Sequence, residues 1–145
     1  MSSFYEKLGI SVYSAILFAL INLPVTYGLT NQYVQQGIID ESGCPTSKGI
    51  LIHTVVFLVL SFLTMGNPFE DMMLKAKYSI YGSLLFFLFS NPVAYSVTSQ
   101  LSSGVTASAN GCQTNIGVLV HSVVYAAALV GLMYLPHDRD LVDQV

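Results

Sequence analysis

The sequence predicts an all-α membrane protein: four transmembrane helices formed by tandem, parallel duplication of one two-helix hairpin. Three observations predict it. Of 145 residues, 53% are hydrophobic and only 9% charged, with a mean hydropathy of +0.63; a soluble domain carries about a quarter charged residues. The charges are also segregated. No Asp, Glu, Lys or Arg lies between Leu8 and Ile39, between Gly49 and Phe69, or between Tyr78 and His137. The last interval has room for two crossings at roughly twenty residues each. Finally, a shift of 68 residues lays residues 7–68 on residues 75–136 without a gap, and about 21 of the 62 pairs are identical. Composition alone would give roughly four.

The first unit, residues 1–70, has crossing segments at about 8–31 and 49–66; the second, residues 71–145, has them at about 76–99 and 116–135, followed by a short charged tail. Matching landmarks run in order through both: Lys7/Lys75, Tyr13/Tyr81, Phe18/Phe86, Pro24/Pro92, Tyr27/Tyr95, Thr30/Thr98, Cys44/Cys112, Gly49/Gly117 and His53/His121. The loops at 32–48 and 100–115 are rich in Gln, Ser, Thr, Asn and Gly, which punctuate an apolar helix. Thr46 and Thr114 stand at N-cap positions of the second helix of each unit. Asn67-Pro68 stops the first unit and opens a short charged turn. Pro24 and Pro92 each remove a backbone bond and kink their helices.

Two crossings per unit give both units the same orientation. The termini and the 67–77 turn then share a side that carries Lys7, Lys75, Lys77 and Arg139, against Lys48 alone on the other. The bias of basic residues towards the cytosol puts the termini there. The apolar run behind Met1 is too long for a signal-peptide core and reads as a retained helix. Five basic residues make no patch, so nucleic acid is not an expected partner. Tyr27, Tyr33, Tyr78, Tyr95 and Tyr134 suit interfacial belts, and Ala126, Ala127, Ala128 and Gly131 offer a small-residue face for packing.

Few residues suggest chemistry. His53 and His121 form a possible functional pair, because pseudo-symmetry would let two imidazoles face a common axis, as a bis-histidine haem or a metal requires. The plainer reading is a neutral histidine bonded to a loop carbonyl or to a neighbouring Thr or Tyr. Cys44 and Cys112 form a possible disulfide between the units, with free interfacial thiols as the alternative. Asn22 and Asn91 precede the prolines at different spacings and make no repeated polar site. The apolar spans hold no charged residue, and the sequence has no nucleophile triad, phosphate loop or metal-ligand cluster. No catalytic residue, cofactor or metal is therefore expected, and the chain reads as a non-enzyme.

The hairpin pattern Tyr-x-x-x-Leu-Phe…Pro-Val-x-Tyr-x-x-Thr-x-Gln…Gly-Cys-x-Thr-x-x-Gly-x-Leu-x-His resembles small multi-pass membrane proteins of large, phycodnavirus-like algal DNA viruses. It is clearest at residues 22–32 with 43–56, and at 91–100 with 111–124. The resemblance implies a structural protein of the virion's internal membrane. Such a protein is inserted through a host membrane and holds the lipid layer to minor capsid proteins, with homo-oligomers allowed. Two other readings compete: a small channel or transporter, supported by the kinked proline helices and the repeated histidine, and a haem protein that uses His53 and His121.

Overall fold

The computed structural model describes residues 4–64, 72–108 and 112–134. The Asn67-Pro68 stop, Gly111 and the charged tail with Asp138, Arg139, Asp140 and Asp143 lie outside the described residues. Those described form six helices: α1 (Phe4–Asn22), α2 (Pro24–Tyr33), α3 (Ser47–Thr64), α4 (Met72–Ser90), α5 (Pro92–Leu101) and α6 (Asn115–Met133). By length and composition α1, α3 and α6 can each cross a membrane, and α4 with α5 makes a fourth crossing if that pair, bent by 62°, counts as one.

The expected helices at 8–31 and 76–99 are thus not continuous, and proline is the reason. A proline pushes the preceding residue out of the helical region. Leu23 accordingly has φ −62° and ψ 142°, and Asn91 has φ −66° and ψ 135°. Pro24 and Pro92 then open new helices, at a position where a missing N–H has no partner to lose.

Each half then makes a small hairpin before its last helix. Ile39 bridges Pro45 and Ala107 bridges Gln113, both antiparallel. Asp40 N–H donates to Cys44 O at 2.8 Å and Ser108 N–H to Cys112 O at 2.7 Å. Thr46 and Thr114 occupy the cap positions that the sequence suggests, accepting from Gly49 N–H at 3.1 Å and Gly117 N–H at 2.9 Å. The glycines have a steric cause. An added Cβ would overlap the carbonyl oxygen of Ile38 at Gly49 and of Thr106 at Gly117.

The long helices exchange partners. α1 packs chiefly on α6, and α4 chiefly on α3. Lys7 Nζ lies 4.8 Å above the Tyr134 ring and Lys75 Nζ 4.8 Å above the Phe62 ring. These contacts set the starts of α1 and α4 beside the ends of α6 and α3, so both loops lie at the opposite end. At the centre, Phe18, Phe86, Phe57 and Tyr125 close a cycle. Phe18 stacks on Tyr125 at 4.8 Å and Phe57 on Phe86 at 4.9 Å, while Phe18–Phe86 at 5.3 Å and Phe57–Tyr125 at 6.0 Å meet edge to face. All four rings are fully buried, in the offset and edge geometries that aromatic quadrupoles favour. The small residues of α6 play a lesser part than expected. Ala126 packs on this core, whereas Ala127 is exposed and Gly131 faces open space.

Tyr125 differs from Phe57, its counterpart 68 residues earlier, by one hydroxyl, which donates to Gly82 O at 3.0 Å. A Cβ at Gly82 would sit 2.9 Å from that hydroxyl; the residue 68 places before Gly82 is Ser14. Gly82→Ala will therefore lower stability. Overpacking costs about 1–3 kcal/mol, more than the 0.5–1 kcal/mol that alanine gains over glycine in a helix. Adding Tyr125→Phe will recover the loss, and a double-mutant cycle of thermal unfolding in detergent checks it. Additive effects would refute the pairing.

Candidate functional site

The buried polar groups gather at the loop end of the bundle, and the helix breaks cause it. Helical bonding would pair Ile21 O with Val25 N–H and Phe89 O with Val93 N–H. After the break, both N–H groups belong to the first turn of a new helix, and Val93 N–H donates to Asn91 Oδ1 at 3.0 Å instead. In hydrocarbon the abandoned carbonyls need other donors.

The histidines supply them. His53 Nδ1 lies 3.0 Å from Ile21 O, and its Nε2 lies 2.9 Å from Thr30 Oγ1. His121 repeats this with Phe89 O at 3.0 Å and Thr98 Oγ1 at 2.8 Å. A carbonyl only accepts, so Nδ1 carries the proton, and in the neutral ring Nε2 accepts from the threonine hydroxyl. Each imidazole is also stacked on a tyrosine: His53 on Tyr27 at 4.0 Å and His121 on Tyr95 at 3.9 Å, both with planes 6° apart.

Between the two cradles lies Asn22, fully buried. Tyr27 O–H donates to its Oδ1 at 3.1 Å, its Nδ2 donates to Tyr95 Oη at 3.0 Å, and Gln113 Nε2 donates to its backbone oxygen at 3.3 Å. One side chain thereby ties the first half to the second. Asn22 and Asn91 do share no role, in keeping with their unequal spacing: Asn91 caps α5. Ser90, the residue 68 places after Asn22, is also buried.

Beyond this cluster, Cys44 and Cys112 are joined as a disulfide with Cα atoms 4.9 Å apart. It ties the two loop hairpins to each other, and Cys44 is buried.

Chemically, this arrangement spends its polar atoms on itself. Both nitrogens of each imidazole are engaged within their own half. Either ring would have to give up its threonine to offer Nε2 to haem iron or a metal ion. Among the described residues, no group of three His, Cys, Asp or Glu assembles. Tyr33 and Tyr134 are exposed, as a belt requires, but Tyr27, Tyr78 and Tyr95 are buried. For Tyr27 and Tyr95 the imidazole stack and the Asn22 bonds outweigh the pull of the interface. The plainer expectation for the histidines, a carbonyl or a neighbouring Thr or Tyr as partner, is met by Thr30 and Thr98, whereas nothing in the sequence points to Gln113 as a partner of Asn22. The signal for the threonines is their spacing: Tyr27 and Thr30, like Tyr95 and Thr98, stand three apart, on one helical face.

Comparison with protein-family models, curated proteins and solved structures finds no match to this chain. Fold and cluster together describe an apolar helical bundle of the membrane-spanning kind.

Two measurements test the cluster. His121→Phe keeps a ring against Tyr95 but leaves Phe89 O without a donor, which costs about 1–3 kcal/mol. It should lower the unfolding temperature in detergent, and His53→Phe should do the same through Ile21 O; unchanged temperatures would deny the bracing role. The oxidised protein, denatured without reductant, should show no reactive thiol and two after reduction, and Cys44→Ser should slow its migration on a non-reducing gel. A link across 68 residues stabilises by at most about 4 kcal/mol through loop entropy.

Proposed function

We propose that this chain is a structural integral membrane protein of a virion, a rigid multi-span scaffold that holds the internal membrane to minor capsid proteins. The observation that carries the scaffold reading is the self-contained polar cluster. His53, His121, Asn22, Tyr27 and Tyr95 bond to one another and to broken helix ends. A transport path would need polar groups left over for a solute, and the central core is instead a closed set of aromatic rings. What remains for contact is the loop end and the termini. The virion and its capsid proteins enter through the resemblance of the Gly-Cys-x-Thr-x-x-Gly-x-Leu-x-His hairpin to the algal-virus membrane proteins.

Two finer points belong to the same reading. The halves descend from one duplicated hairpin; the 68-residue register that relates His53 to His121 also relates their carbonyl, threonine and tyrosine partners. The termini face the cytosol at insertion, and the loops with Cys44 and Cys112 face a compartment where thiols oxidise, in accord with the lysine bias and the disulfide.

The experiment is proteomic. In purified particles of the virus that encodes it, the chain should be abundant, stay with the capsid shell after mild detergent removes lipid, and cross-link through Lys48 or the termini to a capsid protein. Its absence from purified particles would end the proposal.

A further inference from the structure

The helix breaks leave two short helices, α2 and α5, whose outer faces are largely exposed. Val25, Leu29 and Tyr33 on α2 are 63%, 51% and 75% exposed, and Val93, Val97 and Leu101 on α5 are 67%, 51% and 83% exposed. Tyr27 and Tyr95, on the inner faces, are 0% exposed. A spacing of four residues makes each trio a single apolar stripe. Each stripe prolongs one on the preceding long helix: Val12, Ile16 and Leu20 lead to Val25, and Ile80, Leu84 and Leu88 lead to Val93, all exposed.

Length decides where these stripes lie. α1 is long and apolar enough to cross by itself, whereas α4 makes a crossing only together with α5. The charge-free part of α4, residues 78–90, has 13 residues, about 20 Å of helix. It stops about 10 Å short of the far side of a hydrocarbon layer of about 30 Å. α5 adds 10 residues, about 15 Å of helix. At 62° to α4 it advances only about 7 Å along an upright α4. That is the depth over which interfacial helices bury an apolar face. The polar groups obey the same geometry, since the Ser-, Gln- and Gly-rich loops begin where α2 and α5 end. Neither short helix carries a charge that would recruit a charged soluble partner.

We propose that α2 and α5 are a pair of interfacial arms, laid into the loop-side leaflet with the Val25–Leu29–Tyr33 and Val93–Val97–Leu101 stripes against lipid acyl chains just below the headgroups. The arms anchor the disulfide-linked loops at a fixed height above the bilayer. They also make the loop-side leaflet the one that the protein occupies most widely along these two helices. The inference rests on the membrane reading of the long helices, not on the virion assignment.

Spin labels on introduced cysteines test it, because both native cysteines are in the disulfide. Leu29→Cys and Val97→Cys report on the arms, with Val25→Cys and Val93→Cys as a second pair. Ile16→Cys and Leu84→Cys report on the spans, and Gln36→Cys on the loop. Each oxidised protein is placed in phosphatidylcholine–phosphatidylglycerol vesicles, and accessibility to oxygen and to a water-soluble nickel chelate is read by electron paramagnetic resonance. The arm labels should be several-fold less open to nickel than Gln36→Cys, yet shallower than Ile16→Cys and Leu84→Cys. Nickel access equal to that at Gln36→Cys would overturn the proposal in favour of a stripe that faces water and a soluble partner. Spin–spin broadening that grows with protein-to-lipid ratio at the arm labels would overturn it in favour of a second copy. A depth equal to that of the span labels would replace the arms with continuous crossings. Nickel access at the span labels would instead reject the membrane reading itself, a result distinct from the other three.

Discussion

A carbonyl freed by a helix break has water to turn to in a soluble protein, but in hydrocarbon it must find a protein donor or cost several kcal/mol. Much of this structure answers that one requirement. Proline breaks the first long helix of each half at Leu23 and Asn91. The stranded carbonyls of Ile21 and Phe89 draw in imidazoles from α3 and α6. Each imidazole needs its second nitrogen satisfied, and Thr30 or Thr98, nearly two turns into the short helix, does so. The histidine therefore clamps three elements together: the end of the long helix, the second half of the short one, and the helix that follows the loop. Tyr27 and Tyr95 cover the rings and meet across Asn22. A defect that would otherwise weaken the helix becomes the joint that sets its bend.

The opposite demand governs the middle of the bundle, where the long helices run unbroken and ring packing does most to select the arrangement. Lipid tails are as apolar as the side chains they compete with, so shape and ring geometry have to discriminate. The cycle of Phe18, Phe86, Phe57 and Tyr125 draws one ring from each long helix. It also accounts for the exchange of partners, because its stacked pairs, Phe18–Tyr125 and Phe57–Phe86, are the ones that join α1 to α6 and α3 to α4. Gly82 marks how closely the fit is made: Tyr125 carries a hydroxyl that its counterpart Phe57 lacks, and Gly82 lacks the side chain that Ser14 carries.

These two regimes explain what could be read beforehand. The charge-free intervals and the 68-residue register reveal the apolar segments and their pairing, because solvation and composition are properties of the chain itself. Pro24 and Pro92 announce a kink, since a proline acts on its own neighbours, but not a full break with a new helix beyond it. The depth of that break depends on donors from residues about thirty positions away in the chain. Likewise, His53 and His121 stand out as buried ionisable groups, while the choice between ligand and brace turns on Ile21 O and Phe89 O, backbone atoms that a sequence does not display. Tyr27 and Tyr95 read as belt residues for the same reason: the belt is a rule about averages, and the imidazole beneath each ring is a particular contact. The pairing of α1 with α6 has no local signature, because a hairpin loop suggests that neighbours in sequence are neighbours in space.

The two ends of the molecule consequently differ in kind. At the end that carries Lys7 and Lys75, the contacts include a lysine over an aromatic ring, the Ser11 hydroxyl against Met133 sulfur at 3.8 Å and a hydrogen bond from the Tyr13 hydroxyl to Thr64. At the loop end, two imidazole braces, a bridging asparagine, two capped helices and a disulfide coincide. Motion of one loop hairpin against the other would have to stretch the covalent link, and tilting either short helix would have to part a histidine from its threonine. These links are what the scaffold proposal draws on. Under that proposal, a partner bound to the Cys44 and Cys112 hairpins would be held relative to all of the long helices, because each hairpin leads into a helix that packs on the other half.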